Sequence, residues 1–204
     1  MSGGEDTLKG RHDTLVYFAT GNKGKYIEAA GIVAEFRVML KQVNRHKVEI
    51  QSDNLTEIAT FAAKEASETT QRPVVAEDSG FFVHALNGFP GPYSSYVHRT
   101  IGSQGILSLM RSARNRESHF QAVVAFCIPK AQHVCFSAVV KGTLSRRMRG
   151  KHGFGFDPIF IPNGGNGRTF AQMDTDEKNM LSHRARAFRR FFSWLRAQPW
   201  SSAA

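Results

Sequence analysis

Short apolar runs that end in small or polar residues predict three strands in the first half of the chain. The first is 15–19, which stops at Thr20-Gly21-Asn22. A second candidate is 48–51, and a third is 74–76, which leads directly into Glu77-Asp78-Ser79-Gly80. The pattern indicates buried strands that are separated by other elements.

Helical spacing of apolar residues predicts the connections between these strands. One helix follows the first strand and ends near residue 36, and the next starts with Asn54 as N-cap and Glu57 in a capping box. Further helices are predicted after Ser103 and from about Thr175 to Leu195. The predicted apolar stripes of the first two helices are Ile27, Ala30, Gly31 and Ala34, and then Ile58, Ala59, Ala62, Ala63 and Ala66.

Apolar residues at every second position predict a hairpin in the second half. The runs are 120–128 and 134–140, with a turn at 129–132. Helices mixed with buried strands and a hairpin favour an α/β fold with a mixed sheet. We expect one domain at 14–197, with a flexible N-terminal tail at 1–13 and a C-terminal tail at 198–204.

Composition excludes several classes of protein. The chain has 204 residues, of which 41% are apolar, so it can bury a core and is not a disordered chain. No apolar run reaches the roughly 18–20 residues that span a bilayer, and residues 1–13 lack a secretory signal, so we expect a cytoplasmic protein. Cys127 and Cys135 are either reduced thiols or a cross-strand disulfide. The net charge of +10 indicates an anionic partner or an anionic surface.

The loop from Thr20 to Lys25 is the first candidate site. A strand that ends in a small polar loop at a helix N-terminus offers backbone N–H groups to an anion such as phosphate. Lys25 lies in the first turn, where a cation opposes the helix dipole, and this favours an anionic ligand. The alternative is an ordinary turn and helix cap.

Acidic residues at the end of the third strand are the second candidate site. Glu77 and Asp78 could hold Mg²⁺ near phosphates, although adjacent strand residues point to opposite faces, so one of them is expected to face a cleft. The alternative is a polar turn. Glu49 is either a solvated side chain or a further metal ligand.

Two later segments could complete a ligand site. Phe154-Gly155-Phe156-Asp157-Pro158 could stack an aromatic ring on a planar ligand, or it could be satellite core and a turn. Lys178, His183 and Arg184 could line a cleft, or they could belong to a solvated basic helix face. Together with the anion loop and the acids, these groups match a nucleoside triphosphate with Mg²⁺.

Five stretches in register resemble the inosine-triphosphate pyrophosphatase family, the non-canonical purine NTP pyrophosphatases. They are Thr20-Gly21-Asn22-Lys23-Gly24-Lys25-Tyr26-Ile27-Glu28, Val75-Ala76-Glu77-Asp78-Ser79-Gly80, Gly88-Phe89-Pro90-Gly91-Pro92-Tyr93-Ser94, Gly153-Phe154-Gly155-Phe156-Asp157-Pro158-Ile159-Phe160, and Thr169-Phe170-Ala171 onward to Ser182-His183-Arg184. The resemblance covers about residues 14–195. It implies a long bent mixed sheet flanked by helices, two lobes around a central nucleotide cleft, a homodimer and Mg²⁺ dependence. It also implies hydrolysis of ITP, dITP and XTP to the monophosphate and pyrophosphate, which cleanses the nucleotide pool.

The resemblance also assigns roles to residues. Asp78 would be the catalytic base or water-orienting group, and the metal would be held by Asp78 with Glu49 or Glu77. The substrate-binding residues would be Thr20, Gly21, Asn22, Lys25, Ser79, Phe154, Gly155, Phe156, Asp157, Lys178, His183 and Arg184. A lysine that many members carry in the second helix is replaced here by Ala62, with Lys64 two residues later.

The residues alone leave two other functions open. One is a related nucleotide pyrophosphatase with another base preference. The other is a basic, non-enzymatic nucleic-acid-binding protein, which the charge favours. The sequence carries no nucleic-acid-binding motif, so no specific nucleic acid partner is expected.

Overall fold

The computed structural model describes residues 14–43 and 50–198, which form a mixed α/β structure around one seven-stranded sheet. The strands are β1 Thr14–Ala19, β2 Val38–Val43, β3 Val74–Val83, β4 Pro90–Gly91, β5 Glu117–Cys127, β6 Val134–Leu144 and β7 Phe160–Pro162. The helices are α1 Lys23–Val33, α2 Leu55–Thr70, α3 Ser94–Thr100, α4 Gly102–Leu109, α5 Thr175–Leu181 and α6 His183–Arg196. Apart from Gln198, the predicted tails lie outside the described residues.

The order of the strands confirms the predicted mixed sheet. It runs β2-β1-β3-β5-β6-β7, and β4 pairs with β3. β1 is parallel to β2 and β3, whereas the remaining pairs are antiparallel. The predicted hairpin is present as β5 and β6, with Val124 opposite Phe136.

Two predicted elements differ from the structure. The second strand is β2, while Ile50 and Gln51 lie outside any strand and 48–49 lie outside the described residues. The single helix predicted from Thr175 to Leu195 is two helices, because Ser182 is extended at φ −69° and ψ 152°. The Ser182 hydroxyl accepts a hydrogen bond from the Ala185 N–H, so this residue ends α5 and caps α6.

The buried face of α1 is not the predicted stripe. Ile27 is 48% exposed, and the buried residues are Glu28, Ala29 and Ile32. The stripe of α2 is confirmed, and so is the Asn54 cap. Glu57, however, accepts a hydrogen bond from the Ser52 hydroxyl at 2.8 Å, which replaces the predicted capping box.

Two apolar cores lie along the sheet face that carries α6, as expected of two lobes. On this face of β3 the alternate positions are Val75, Glu77, Ser79 and Phe81. Val75 belongs to the core built with α1 and α6, and Phe81 belongs to a separate core. The polar pair between them opens a gap in the apolar surface. The opposite face of the sheet packs against α2.

None of the helices within 14–43 and 50–198 is long and apolar enough to cross a membrane. Cys127 is a buried free thiol and Cys135 is an exposed one. Cys135 lies opposite Ala125 in the hairpin, so the disulfide alternative is not realised.

Candidate active site

The site forms where β1 stops beside β3, at the carboxyl ends of parallel strands, a usual place for ligand binding in α/β sheets. Phe18 pairs with Val75, and β1 ends one residue later. The start of α1 therefore lies next to Glu77 and Asp78. The Lys25 ammonium is 2.8 Å from a Glu77 carboxylate oxygen and 3.8 Å from one of Asp78.

The loop before α1 forms a hydrogen-bonded cap. The Thr20 hydroxyl accepts from the Asn22 N–H at 3.1 Å, and the Asn22 side chain accepts from the Lys25 N–H at 3.1 Å. These two N–H groups therefore belong to an ordinary turn and helix cap, as the alternative predicted. Gly21 and Asn22 remain exposed, so the loop stays open to a ligand. The two carboxylates beside Lys25 balance its charge in the first helical turn.

The acids of β3 differ in their surroundings. The Glu77 side chain is fully buried, and its carboxylate pairs with Lys25 and with Arg184 Nε at 3.1 Å. Burial raises the pKa of Glu77, but the charges of Arg184 and Lys25 lower it by more, to about 2. Asp78 keeps 14% side-chain exposure on the other strand face. Glu49 lies outside the described residues.

Glu28 joins two cations in the core. Its carboxylate accepts hydrogen bonds from Lys178 Nζ at 2.7 Å and from Arg184 Nη1 at 2.5 Å. Lys178 also donates to Asp157 at 2.5 Å. An alternating series of charges therefore crosses the gap between the two cores, in the order Asp157, Lys178, Glu28, Arg184, Glu77 and Lys25.

Most charges in this series hold one another ionised, but burial, together with the nearby Glu28 carboxylate, raises the pKa of Asp157 despite its contact with Lys178. Burial raises the pKa of Glu28, but Arg184 and Lys178 lower it by more. Burial lowers the pKa of Lys178, and Asp157 and Glu28 raise it above its usual value. Because each buried charge has a partner of opposite sign, the large cost of burying an isolated charge is offset. Lys178 and Arg184 therefore belong to a buried ion network, and the alternative of a solvated basic helix face is not realised.

Phe154 is the partly exposed aromatic group at this site. Its ring centroid lies 4.9 Å from Lys178 Nζ and 5.3 Å from Arg184 Cζ. Its N–H donates to Asp157 at 2.8 Å, which fixes the loop to the ion network. A Cβ on Gly24 would lie 2.6 Å from the Phe154 ring, so this glycine lets α1 approach the aromatic ring.

Phe156 and Gly155 follow Phe154 in the same loop, and the Phe156 ring points into the second core. The Phe156 side chain is 2% exposed and stacks on Phe81 in the second core. Its ring is core, as the alternative held, and is not placed to stack on a ligand. The Gly155 carbonyl accepts a hydrogen bond from the Ser103 hydroxyl at 3.4 Å.

His183 is a buried, uncharged histidine beside the network. Its ring stacks on Phe120 with centroids 4.6 Å apart. Burial, followed by the nearby charge of Arg184, holds the pKa of His183 well below its usual range. Within the described part of the chain, its Nδ1 has no hydrogen-bond partner. Arg184 Nη2 donates to the Ser79 hydroxyl at 2.9 Å, which places Ser79 in the same cluster.

The donor set fits a magnesium ion held by few protein ligands. Among residues 14–43 and 50–198, no three His, Cys, Asp or Glu side chains are arranged to hold a metal. Mg²⁺ commonly takes one or two carboxylates together with substrate phosphates. Asp78 is the carboxylate with the exposure for this role, since Glu77 is already paired with two cations.

Sequence reasoning assigned no role to Glu28, which holds Lys178 and Arg184 together. The signal was its place on α1 three residues after Lys25, but a pattern of apolar positions assigns a carboxylate to the solvent.

The structure also places the two residues that were considered for the family lysine of the second helix. Ala62 is buried under the sheet, and Lys64 is exposed near the Cys127 thiol, away from the site.

The chain is similar to known proteins over most of its length. The model of the Ham1 family matches residues 16–194. A dITP/XTP pyrophosphatase of Methanopyrus kandleri is 47% identical over 88% of this chain and 95% of its own length. One of Pyrococcus horikoshii is 44% identical over 89% and 96%.

Solved structures give the same result. A HAM1 protein from Coxiella burnetii matches with a TM-score of 0.78 and 26% identity, over 91% of this chain and 100% of that one. A nucleoside-triphosphatase, or dITP/XTP pyrophosphatase, from Mycobacterium abscessus matches with a TM-score of 0.69 and 29% identity, over 87% and 98%. The chain therefore belongs to the Ham1 family.

Proposed function

We propose that this protein is a nucleoside-triphosphate pyrophosphatase that hydrolyses ITP, dITP and XTP to the monophosphate and pyrophosphate, and so cleanses the nucleotide pool. The observation that carries the proposal is the buried charge series from Asp157 to Lys25. It fixes an aromatic ring at one end and sets Asp78 beside Lys25 at the other. The similarity to proteins named dITP/XTP pyrophosphatase supports it.

In the proposed mechanism, Asp78 orients the water that attacks the α-phosphorus. Thr20, Gly21 and Asn22 receive the phosphates at the exposed loop before α1. Lys25 neutralises charge that develops on the pyrophosphate leaving group. Bound Mg²⁺, held by Asp78, would supply further charge neutralisation on the phosphates. The chain's main contribution is thus positioning and electrostatic stabilisation.

Recognition of the base follows from hydrogen-bond type. Phe154 provides the ring on which the purine stacks, with Lys178 and Asp157 fixing the loop behind it. Hypoxanthine and xanthine carry a 6-keto acceptor, which suits donors of His183 and Arg184. Adenine presents an amino donor there, and each buried mismatch costs about 1–3 kcal/mol. The site therefore favours 6-keto purines over adenine.

Hydrolysis of XTP in ¹⁸O-labelled water with Mg²⁺ tests the proposed reaction. Attack at the α-phosphorus predicts label in the monophosphate and unlabelled pyrophosphate. Label in pyrophosphate or release of orthophosphate would contradict it. A parallel reaction in EDTA tests the metal requirement. If the enzyme requires Mg²⁺, EDTA should abolish turnover.

We also propose that the enzyme is a homodimer. Exposed apolar side chains of α3, α4 and the residue between them support this, since Tyr96 is 62% exposed, Ile101 44% and Leu109 53%. Light scattering during size-exclusion chromatography should give about twice the 22.7 kDa chain mass. A mass equal to one chain would reject the dimer.

A further inference from the structure

A second concave surface, lined mainly by arginines, lies at the start of β5. The cavity is about 700 Å³ and its cationic wall consists of Arg114, Arg116, Arg146, Arg147 and Arg149. Asp78 is paired with Val123, and β5 starts six residues earlier at Glu117. At about 3.3 Å per residue, the two ends of this stretch are about 20 Å apart. The cavity therefore lies well away from Asp78, and its lining shares no residue with the candidate active site.

The positive charge of this cavity is poorly compensated by the described residues. Arg116 donates hydrogen bonds to the carbonyls of Leu144, Met110 and Ser145, which carry no net charge. Glu117 is the acid in the lining, and its carboxylate lies 3.3 Å from His84. Burial, followed by the charge of Arg146, lowers the pKa of Arg116. Arg116 and Arg146 therefore repel each other, and a bound anion would relieve that repulsion.

One arginine of the lining also has an unused donor beneath the surface. Arg149 Nε is buried and has no hydrogen-bond partner in the described part of the chain. A buried N–H without a partner costs free energy, which Arg149 would recover by turning its guanidinium toward a bound acceptor. Guanidinium groups recognise phosphate through paired N–H donors, so several arginines around one concavity suit a ligand with several phosphates.

We propose that this arginine cavity is a second anion site that binds an oligophosphate, meaning inorganic pyrophosphate or triphosphate or the phosphate chain of a nucleotide. Its volume lies in the usual range of small-molecule pockets, roughly 300–1,000 Å³. The arginines surround a concavity rather than follow an extended stripe, which favours a small anion over a nucleic acid backbone. The site accounts for part of the net charge of +10, which exceeds what one triphosphate needs.

The test measures binding of sodium tripolyphosphate by isothermal titration calorimetry, in EDTA and without divalent ions. Arg146→Ser/Arg147→Ser removes two exposed arginines of the cavity. Arg37→Ser/Arg186→Ser, also exposed, removes the same charge elsewhere and serves as the matched control. We expect the cavity variant to bind at least tenfold more weakly and the control to bind within twofold of the unchanged protein.

Two further readouts locate and identify the ligand. Tripolyphosphate should slow hydrogen exchange at 114–117 and 143–149 in the unchanged protein and not in the cavity variant. If the cavity variant loses affinity for pyrophosphate and for ADP to the same extent, this supports recognition of the phosphate chain alone. If it loses affinity for the inorganic anions only, this supports an inorganic ligand. Equal affinity of both variants would overturn the proposal. Binding of an oligonucleotide that depends on these arginines, with no binding of tripolyphosphate, would overturn it as well.

Discussion

Arg184 of α6 and Glu28 of α1 form a hydrogen-bonded ion pair of 2.5 Å, although 156 residues separate them in the chain. Both side chains are almost fully buried, at 3% and 6% exposure. The pair ties the helix after the proposed phosphate loop to the helix that carries His183. The proposed site is therefore assembled by paired charges in the interior rather than by a surface patch.

Removing one member of this network should destabilise the fold. Arg184→Met leaves the Glu28 and Glu77 carboxylates without their shared partner, and losing one side of a buried pair costs about 3–5 kcal/mol. The free energy of unfolding in urea measures the change. Glu35→Gln is the control, because its ion pair with Arg189 is exposed and should contribute less than about 1 kcal/mol. Similar losses in the two variants would refute the buried-network account.

Asp78→Asn should remove most of the turnover and leave nucleotide binding in place. The amide keeps the size of the side chain but cannot accept a proton, and such groups contribute about 10²–10⁴-fold. The measurements are kcat for XTP and the affinity for the product monophosphate. Asp176→Asn, on the exposed part of α5, should behave as the unchanged enzyme. Unchanged kcat in Asp78→Asn would remove this residue from the mechanism.

Phe154→Ala should weaken substrate binding more than it slows the chemical step. Stacking of a base on an aromatic ring contributes about 1–3 kcal/mol, so KM should rise about 10- to 100-fold. Phe154→Trp keeps a stacking surface and should restore much of the affinity. An unaltered KM in the alanine variant would show that the purine does not stack on this ring.

Protonation of His183 should make the fold sensitive to acid. Burial holds the pKa of His183 well below 6.5 in the folded state, so below pH 6.5 the unfolded chain binds the proton and the folded chain does not. Stability should fall by up to about 1.4 kcal/mol per pH unit below 6.5, until the folded pKa is reached. His183→Gln should reduce this slope, and the exposed His133→Gln should not. Equal slopes in both variants would contradict the assignment.

The arrangement of the strands could be predicted where the local pattern was simple. The β5–β6 hairpin carries an apolar residue at every second position, and α2 shows its buried stripe in sequence. β2 was missed because it is a half-buried edge strand in which only Val38 is fully buried. The break between α5 and α6 was missed because one extended serine that also caps a helix leaves the apolar spacing almost unchanged.

The prediction of the site was incomplete for a different reason. Motifs named Lys178 and Arg184 but not their burial, which depends on Glu28 from a distant helix. A carboxylate on a helix is assigned to solvent by any pattern of apolar positions, and so α1 was predicted with the wrong face inward. Only the three-dimensional partners reveal that this charge belongs to the core.

The most direct test of the central claim is pyrophosphate release with Mg²⁺ from ITP, XTP, GTP and ATP, compared as kcat/KM. The account predicts that ITP and XTP exceed ATP by about 10²-fold or more, because adenine leaves the donors of the base site unpaired. Equal values for ATP, or no pyrophosphate from any of the four, would contradict it.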